Sequence, residues 1–324
     1  MRKHIFLSLV IILFINCKQS TIAQVDAIED KSVGKDSKVL ASDVATIVEF
    51  LASDELKGRD TGSEGLEKAA QFIEKELKKH NVQPYFETYR DVFDVEGVST
   101  YNIVGYLKGT DPALANEFVI VGAHFDHIGA AKEVDGDSIA NGANDNAAGS
   151  SAVISLAKQF ANLKERKRSV LFVLFGAEEK GLLGSEHLSK VLQEKKIDVY
   201  AMVNFEMIGV PLNDKPYKAY ITGYEMSNMA EKMNEYSGSE LIGYLPKAKE
   251  FGLFKRSDNY PFYEKFKIPA QTISTFDFTN YQYYHHVDDE ASQMNFDFMA
   301  ELINDCQAVI AKICNTTTKE ITLK

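Results

Sequence analysis

The chain has 324 residues, 45% of them hydrophobic, enough apolar material for one sizeable core. It carries 36 basic against 47 acidic residues, a net charge of −11, and no basic patch dense enough to bind nucleic acid. Of its 3 cysteines, Cys306 and Cys314 fall in one closing helical segment. There they would lie roughly 12 Å apart, beyond disulfide reach, so they read as packing residues rather than a disulfide framework.

The chain begins with a targeting pattern. Arg2, Lys3 and His4 precede an apolar run from Ile5 to Ile15, too short to span a bilayer but suited to a signal-peptide core. Cys17 follows directly, as in a bacterial lipoprotein signal. Residues 1–17 are therefore expected to direct export, with Cys17 carrying a lipid anchor as the one tie to a membrane. Asn16 departs from the small residue usual before such a cysteine, and cleavage near Ala23, giving a secreted protein, is the alternative. Residues 18–40 are polar and without periodicity and read as a flexible tether.

The fold is expected over residues 41–324. A capped helix from Ser42 places Val44, Ile47, Val48 and Leu51 on one face, and a second from Glu64 to Lys79 places Leu66, Ala70, Ile73 and Leu77 on another. Strand-like runs follow at residues 85–93, 101–107 and 117–124. Helices and strands then alternate: a helix around 147–161, a strand at 169–175, a helix near 182–193, strands at YAMVNFEMI and AYITG, a helix near 226–237, a strand at IPAQTIS, and a closing helix at 295–313. KERKR, residues 164–168, reads as a solvated loop, and residues 210–257 as the least regular region. Alternation of this kind predicts an α/β protein, a three-layer α/β/α sandwich around a mostly parallel mixed sheet.

Five phrases, most of them following an apolar strand-like run, carry carboxylates or imidazoles: AHFDHIG around His124, NGANDNAAG around Asp145, FGAEEKG around Glu178 and Glu179, NFEMIG around Glu206, and YYHHVDD around His285. Residues at the carboxyl ends of parallel strands converge on one crevice even when distant in sequence. Val170 to Phe175 reads as a strand buried on both faces, and two adjacent carboxylates follow it; their desolvation is costly without a metal or another cation. Singly, each phrase also fits a structural role. Glu178 and Glu179 could cap the next helix, Asp145 could cap a helix starting near Asn146, and a lone His124 is commonly a satisfied polar group. His4, His80 and His187 match no phrase.

In this order, and with LASDELKGRDTGSEGLEKAAQFIEKEL and RSDNYPFYEKFKIPAQTI, the phrases resemble the M28 metallopeptidases, the aminopeptidase and glutamate-carboxypeptidase group. The likeness runs from about Val44 to the final helix. It implies a zinc-dependent exopeptidase fold, a peptide substrate and two zinc ions per chain. His124 and Glu206 would hold one ion, Glu179 and His285 the other, and Asp145 would bridge them. Glu178 would be the general base, Tyr284 a donor to the oxyanion, and Asp126 the acceptor of the other ring N–H of His124. It further implies a cis peptide between Asp145 and Asn146.

Glu206 stands where aspartate is usual, and His286 where threonine is common after the ligand histidine; alignment through Tyr284, Asp288 and Asp289 favours His285 as the ligand. The close succession of strands from Tyr85 to His124 leaves no room for a protease-associated insert. Aromatics at 276–284 are expected to divide between core packing and a side-chain pocket. A single-zinc glutaminyl cyclase and a non-catalytic binding protein on the same scaffold are the alternatives; His124 with Glu206 argues against the first, Glu178 against the second.

Overall fold

The structure is a computed structural model that describes residues 38–324. The expected signal, Cys17 and nearly all of the tether lie outside the described residues. The strands are β1 (Gln83–Pro84), β2 (Arg90–Val95), β3 (Val98–Leu107), β4 (Glu117–His124), β5 (Ala130–Val134), β6 (Asp137–Ile139), β7 (Ser169–Phe175), β8 (Asp198–Glu206), β9 (Ala219–Ile221), β10 (Ile242–Gly243) and β11 (Ala270–Ser274). The helices are α1 (Ala41–Leu51), α2 (Glu64–Lys79), α3 (Gly149–Ala161), α4 (Leu183–Glu194), α5 (Met229–Ser237), α6 (Pro246–Glu250), α7 (Asn259–Phe266) and α8 (Phe296–Asn315).

Nine strands form one mixed sheet in the order β1-β3-β7-β4-β8-β11-β9-β10, with β2 paired to β3. The middle of it, β7, β4, β8 and β11, is parallel, while β3 and β9 run against their inner neighbours. Alternate residues of the central strands feed two separate cores, as the pleat requires. Val119, Val121 and Ala123 of β4, with Val170, Phe172 and Leu174 of β7, face the helical layer of α1, α2, α3, α5 and α8. Ile120, Leu171, Val173 and Phe175 face the other way, against Leu188 and Leu192 of α4 and Phe262 of α7. The expected three-layer α/β/α sandwich is what forms. Among the described residues no helix is long and apolar enough to cross a membrane.

Several local expectations change. Helix α1 starts at Ala41 with Leu40 at its cap position and no side-chain cap, so Ser42 is not the cap; α2 is capped by Ser63, whose side chain accepts from Leu66 N. Residues 85–89 are loop rather than strand, because Tyr85 and Phe86 turn inward to pack on each other and on Tyr106 and Phe118. KERKR is not solvated throughout: Arg168 is wholly buried, donating to Glu117 Oε2 at 2.7 Å and to the carbonyl of Ile313 at 3.3 Å. Residues 210–257 hold β9, α5, β10 and α6. Cys306 and Cys314 are buried in α8 without a disulfide.

Candidate active site

The carboxyl ends of β4, β7 and β8 lie side by side and deliver three of the five phrases to one place. His124 closes β4, its carbonyl accepting from Ser150 Oγ at 2.7 Å. Glu178 and Glu179 follow β7 after Ala177, which takes a left-handed φ of 56°. Their two backbone N–H groups both donate to the Asp126 carboxylate, at 3.1 and 3.3 Å. Glu206 closes β8, and its Oε2 accepts from Ser257 Oγ at 2.8 Å, which steadies a side chain one methylene longer than aspartate.

Asp145 arrives from a different direction, in an irregular turn over Ala143–Ala148 that precedes α3, with Asp145 (φ −111°, ψ 90°) and Asn146 (φ −133°, ψ 44°) outside helical geometry. Gly142 enters the turn at φ 60°, and a Cβ there would lie 2.3 Å from the Asp145 carbonyl. The Asp145–Asn146 peptide is cis. The Asp289 carboxylate holds the turn by accepting from Asn144 N at 2.7 Å and Asp145 N at 3.1 Å. Asn146 ties it to the sheet, donating to the Phe205 carbonyl and accepting from the N–H groups of Gly149 and Met207. Arg59, fully buried, donates to the carbonyls of Leu51, Phe125, Asn141 and Gly142, and so fastens the loop after β4 to the approach to Asp145. Burial lowers its pKa to about 10, against the pull of Asp289, Asp126, Asp145 and Glu179.

The side chains then face one another in two groups. Asp145 Oδ1 lies 3.3 Å from His124 Nε2, and Glu206 Oε1 lies 3.1 Å from the same nitrogen. Asp145 Oδ2 lies 3.2 Å from His285 Nε2, and Glu179 Oε1 also lies 3.2 Å from it. Ligand atoms of His127, Asp145, Glu179 and His285 gather within 4.8 Å of one another, and so do those of His124, Glu178 and Glu206. His286 turns away, its Nδ1 accepting from Asp288 N at 3.0 Å. Tyr284 stacks on His285, the ring centroids 4.0 Å apart.

One contact differs from expectation. His124 Nδ1 meets the backbone carbonyl of Asp126 at 3.1 Å, while the Asp126 carboxylate is 3.7 Å away and committed to Glu178 and Glu179. The imidazole is still oriented by Asp126, through the main chain.

Four carboxylates in so small a volume need a cation. Burial first, then Glu206, Asp258 and Glu179, push the Glu178 carboxyl well above its usual range, with His124 opposing. Burial would also raise Asp145 and lower His285. Three imidazoles outweigh it at Asp145, holding its pKa down, and Asp145 with Glu179 outweigh it at His285, holding its pKa up at about 10. Buried ionised groups in this number are expensive unless paired or bound to metal. His285 Nε2, although near two carboxylates, makes no aligned hydrogen bond, and His127 Nε2 has none either. Imidazole nitrogens and carboxylate oxygens are the usual zinc donors, so the residues fit the ion.

Beside these groups opens a pocket of ≈ 660 Å³, including open solvent, lined by the apolar side chains of Met207, Leu253, Phe276 and Phe278 and by Arg256 at its polar side. Of the aromatics at 276–284, Phe276, Phe278 and Tyr284 line it, while Tyr281 is buried and donates to Asp289 Oδ1 at 2.6 Å. Arg59, His127 and Ser257 were given no role by sequence reasoning, and Asn146 and Asp289 entered it only through the cis peptide and the alignment around His285. His127 stood in plain sight within AHFDHIG, three residues after His124 on the same strand exit.

A three-layer sheet with a buried carboxylate–imidazole centre at the carboxyl edge of its parallel strands defines a class, the metal-dependent α/β hydrolases. The comparisons narrow it: the Peptidase family M28 model matches residues 102–311, and the chain belongs to that family. Among curated relatives, a probable zinc metalloprotease of Pyrenophora tritici-repentis (strain Pt-1C-BFP) is 32% identical over 112 residues, 35% of this chain and 25% of the relative. A probable leucine aminopeptidase 2 of Arthroderma benhamiae (strain ATCC MYA-4681 / CBS 112371) is 33% identical over 152 residues, 46% of this chain and 27% of the relative. The matched stretches thus span about a quarter of those relatives' length. In fold, the Legionella pneumophila LapA aminopeptidase is similar at TM-score 0.67 and 20% identity, covering 86% of this chain and 73% of that one. The glutaminyl cyclase of Porphyromonas gingivalis is similar at 0.64 and 14%, covering 85% and 99%.

Proposed function

We propose that the protein is a zinc-dependent aminopeptidase that hydrolyses the amino-terminal bond of peptides at a centre of two ions. The observation that carries this reading is Asp145, whose Oδ1 faces His124 and whose Oδ2 faces His285. His124 and Glu206 would hold one ion and Glu179 and His285 the other, with Asp145 shared. Zinc there would polarise the scissile carbonyl and make water a better nucleophile near neutral pH.

The protein's own groups do the rest. Glu178, half-buried and with a raised affinity for a proton, takes one from the attacking water and returns it to the leaving amine. Tyr284, half exposed at the pocket edge and kept protonated by partial desolvation and the carboxylates around it, donates to the oxygen that gains charge. The apolar wall of Met207, Leu253, Phe276 and Phe278 receives a hydrophobic side chain. Residues 41–324 would form the catalytic unit without a protease-associated insert. Export, with a lipid on Cys17, belongs to the same proposal and rests on the basic start and the apolar run from Ile5 to Ile15.

A screen of aminoacyl and peptidyl reporters with wild type and Glu178→Gln tests the reading. Release of single amino-terminal residues by wild type, reduced about 10²–10⁴-fold in the folded variant, is expected. Closure of amino-terminal glutamine without hydrolysis would favour a cyclase, the reading suggested by the near-complete coverage of the Porphyromonas gingivalis enzyme.

A further inference from the structure

We propose that His127 is a metal ligand, so that one half of the centre is closed by four side chains and the other keeps its open position beside Glu178. This rests on the two-ion reading above.

His127 is fully buried. Its Nδ1 lies 3.0 Å from Glu179 Oε1 and 3.8 Å from Asp145 Oδ2, the same two oxygens that His285 Nε2 approaches at 3.2 Å. Tetrahedral zinc with bonds of about 2.0–2.1 Å sets its donor atoms about 3.3–3.4 Å apart. These separations bracket that value. The two rings stand edge to face, 71° apart with centroids at 5.5 Å, and so converge on the carboxylates without stacking.

A hydrogen bond from His127 to Glu179 would by itself account for one contact. It would not explain why a second imidazole converges on the same Glu179 oxygen with no aligned hydrogen bond of its own. A shared cation explains both.

The other half is built differently. His124, Asp145 and Glu206 supply three donors, and Glu178 stands within 4.8 Å of His124 and Glu206. Four protein ligands are the mark of a zinc held for good, three ligands and a vacancy that of a zinc that works on substrate. The closed half therefore fills first and releases its ion last, and the reacting position lies on the His124 side, within reach of Glu178.

Zinc titration of the metal-stripped protein, with X-ray absorption at one zinc per chain, tests this in wild type, His127→Ala and His127→Asn. Asparagine keeps a hydrogen-bond donor near the place of Nδ1 but is a poor zinc ligand. Since loss of a group that merely orients a ligand costs about 10–100-fold in affinity, both variants should weaken the first zinc by at least about 100-fold and lose one imidazole from the absorption signal. Wild-type affinity and imidazole count in His127→Asn would overturn the inference and leave the two-ion reading standing. Wild type that binds no zinc would overturn both.

Discussion

The two groups that meet at Asp145 are built from the same kinds of side chain but differ in make-up, two imidazoles with one glutamate against one imidazole with two glutamates. On one side two imidazoles, the buried His127 and the one-third exposed His285 from the 281–289 loop, converge on the half-buried Glu179. On the other, His124 and Glu206 stand beside Glu178, whose burial and acidic neighbours push its carboxyl well above its usual range. A single carboxylate joins them. On the two-ion proposal the difference would divide the labour of one site: one half would secure an ion, and the other would keep a reacting position beside a base.

Removing the shared group should erase the comparison. Asp145→Asn leaves each half with a neutral amide where it had a carboxylate, and we expect zinc content to fall at both halves and peptidase activity to drop below detection; retention of one tightly held zinc would show that Asp145 serves one half alone. Glu178→Gln should separate the functions instead. Zinc content should stay at the wild-type level while turnover falls about 10²–10⁴-fold, read by metal analysis and a reporter assay on one preparation. At Glu206, Gln should lower zinc affinity by more than about 10–100-fold, and Asp, which keeps the charge on a shorter reach, should retain more metal and activity. Equal, near-native zinc and turnover in the two variants would remove Glu206 from the site.

The scaffold beneath both halves can be probed without touching a ligand. Arg59→Ala strips the donor from four buried carbonyls, each costing about 1–3 kcal/mol if left unpaired, so urea unfolding should show a loss of at least about 3 kcal/mol. Far from the centre, Glu67 accepts from Arg90 at 2.8 Å and its pKa falls to about 2, chiefly through that bond. Its folded pKa lies below the unfolded value, so the stability it adds is complete above the ordinary carboxylate range and is lost as pH falls through about 2. The side chain is well exposed, and Glu67→Gln should cost no more than about 1 kcal/mol at neutral pH.

How far all this could be read in the chain depends on what each residue advertises. The central strands declare themselves because β4, β7 and β8 are apolar on both faces, and their ends carry the charged phrases. Asp145 was legible for a different reason, the order of phrases around it. Arg59 and Asp289 gave no such signal, since a buried charge that satisfies backbone groups of distant loops leaves no periodicity. His127 was masked by its neighbours, since His124 and Asp126 already complete a ligand-and-acceptor pair within AHFDHIG and a second histidine there has no further pattern to match. The β5–β6 hairpin was passed over although Asp135-Gly136 marks its turn, with φ of 51° and 90°, a dipeptide suited to paired left-handed positions. Residues 85–89 misled in the opposite sense, as they bulge away from β3 between bonds of Tyr85 N and the Tyr89 carbonyl to Val104, and Tyr85 packs on Phe118.

The proposed centre of two ions joined by Asp145 is tested most directly by back-titration of the chelator-stripped enzyme with zinc while the release of an amino-terminal residue is followed. We predict little activity at the first equivalent, as the His127 side fills, and a rise that ends at about two ions per chain as the Glu178 side is completed. Full hydrolytic activity at a single equivalent, or no dependence on zinc at all, would contradict it.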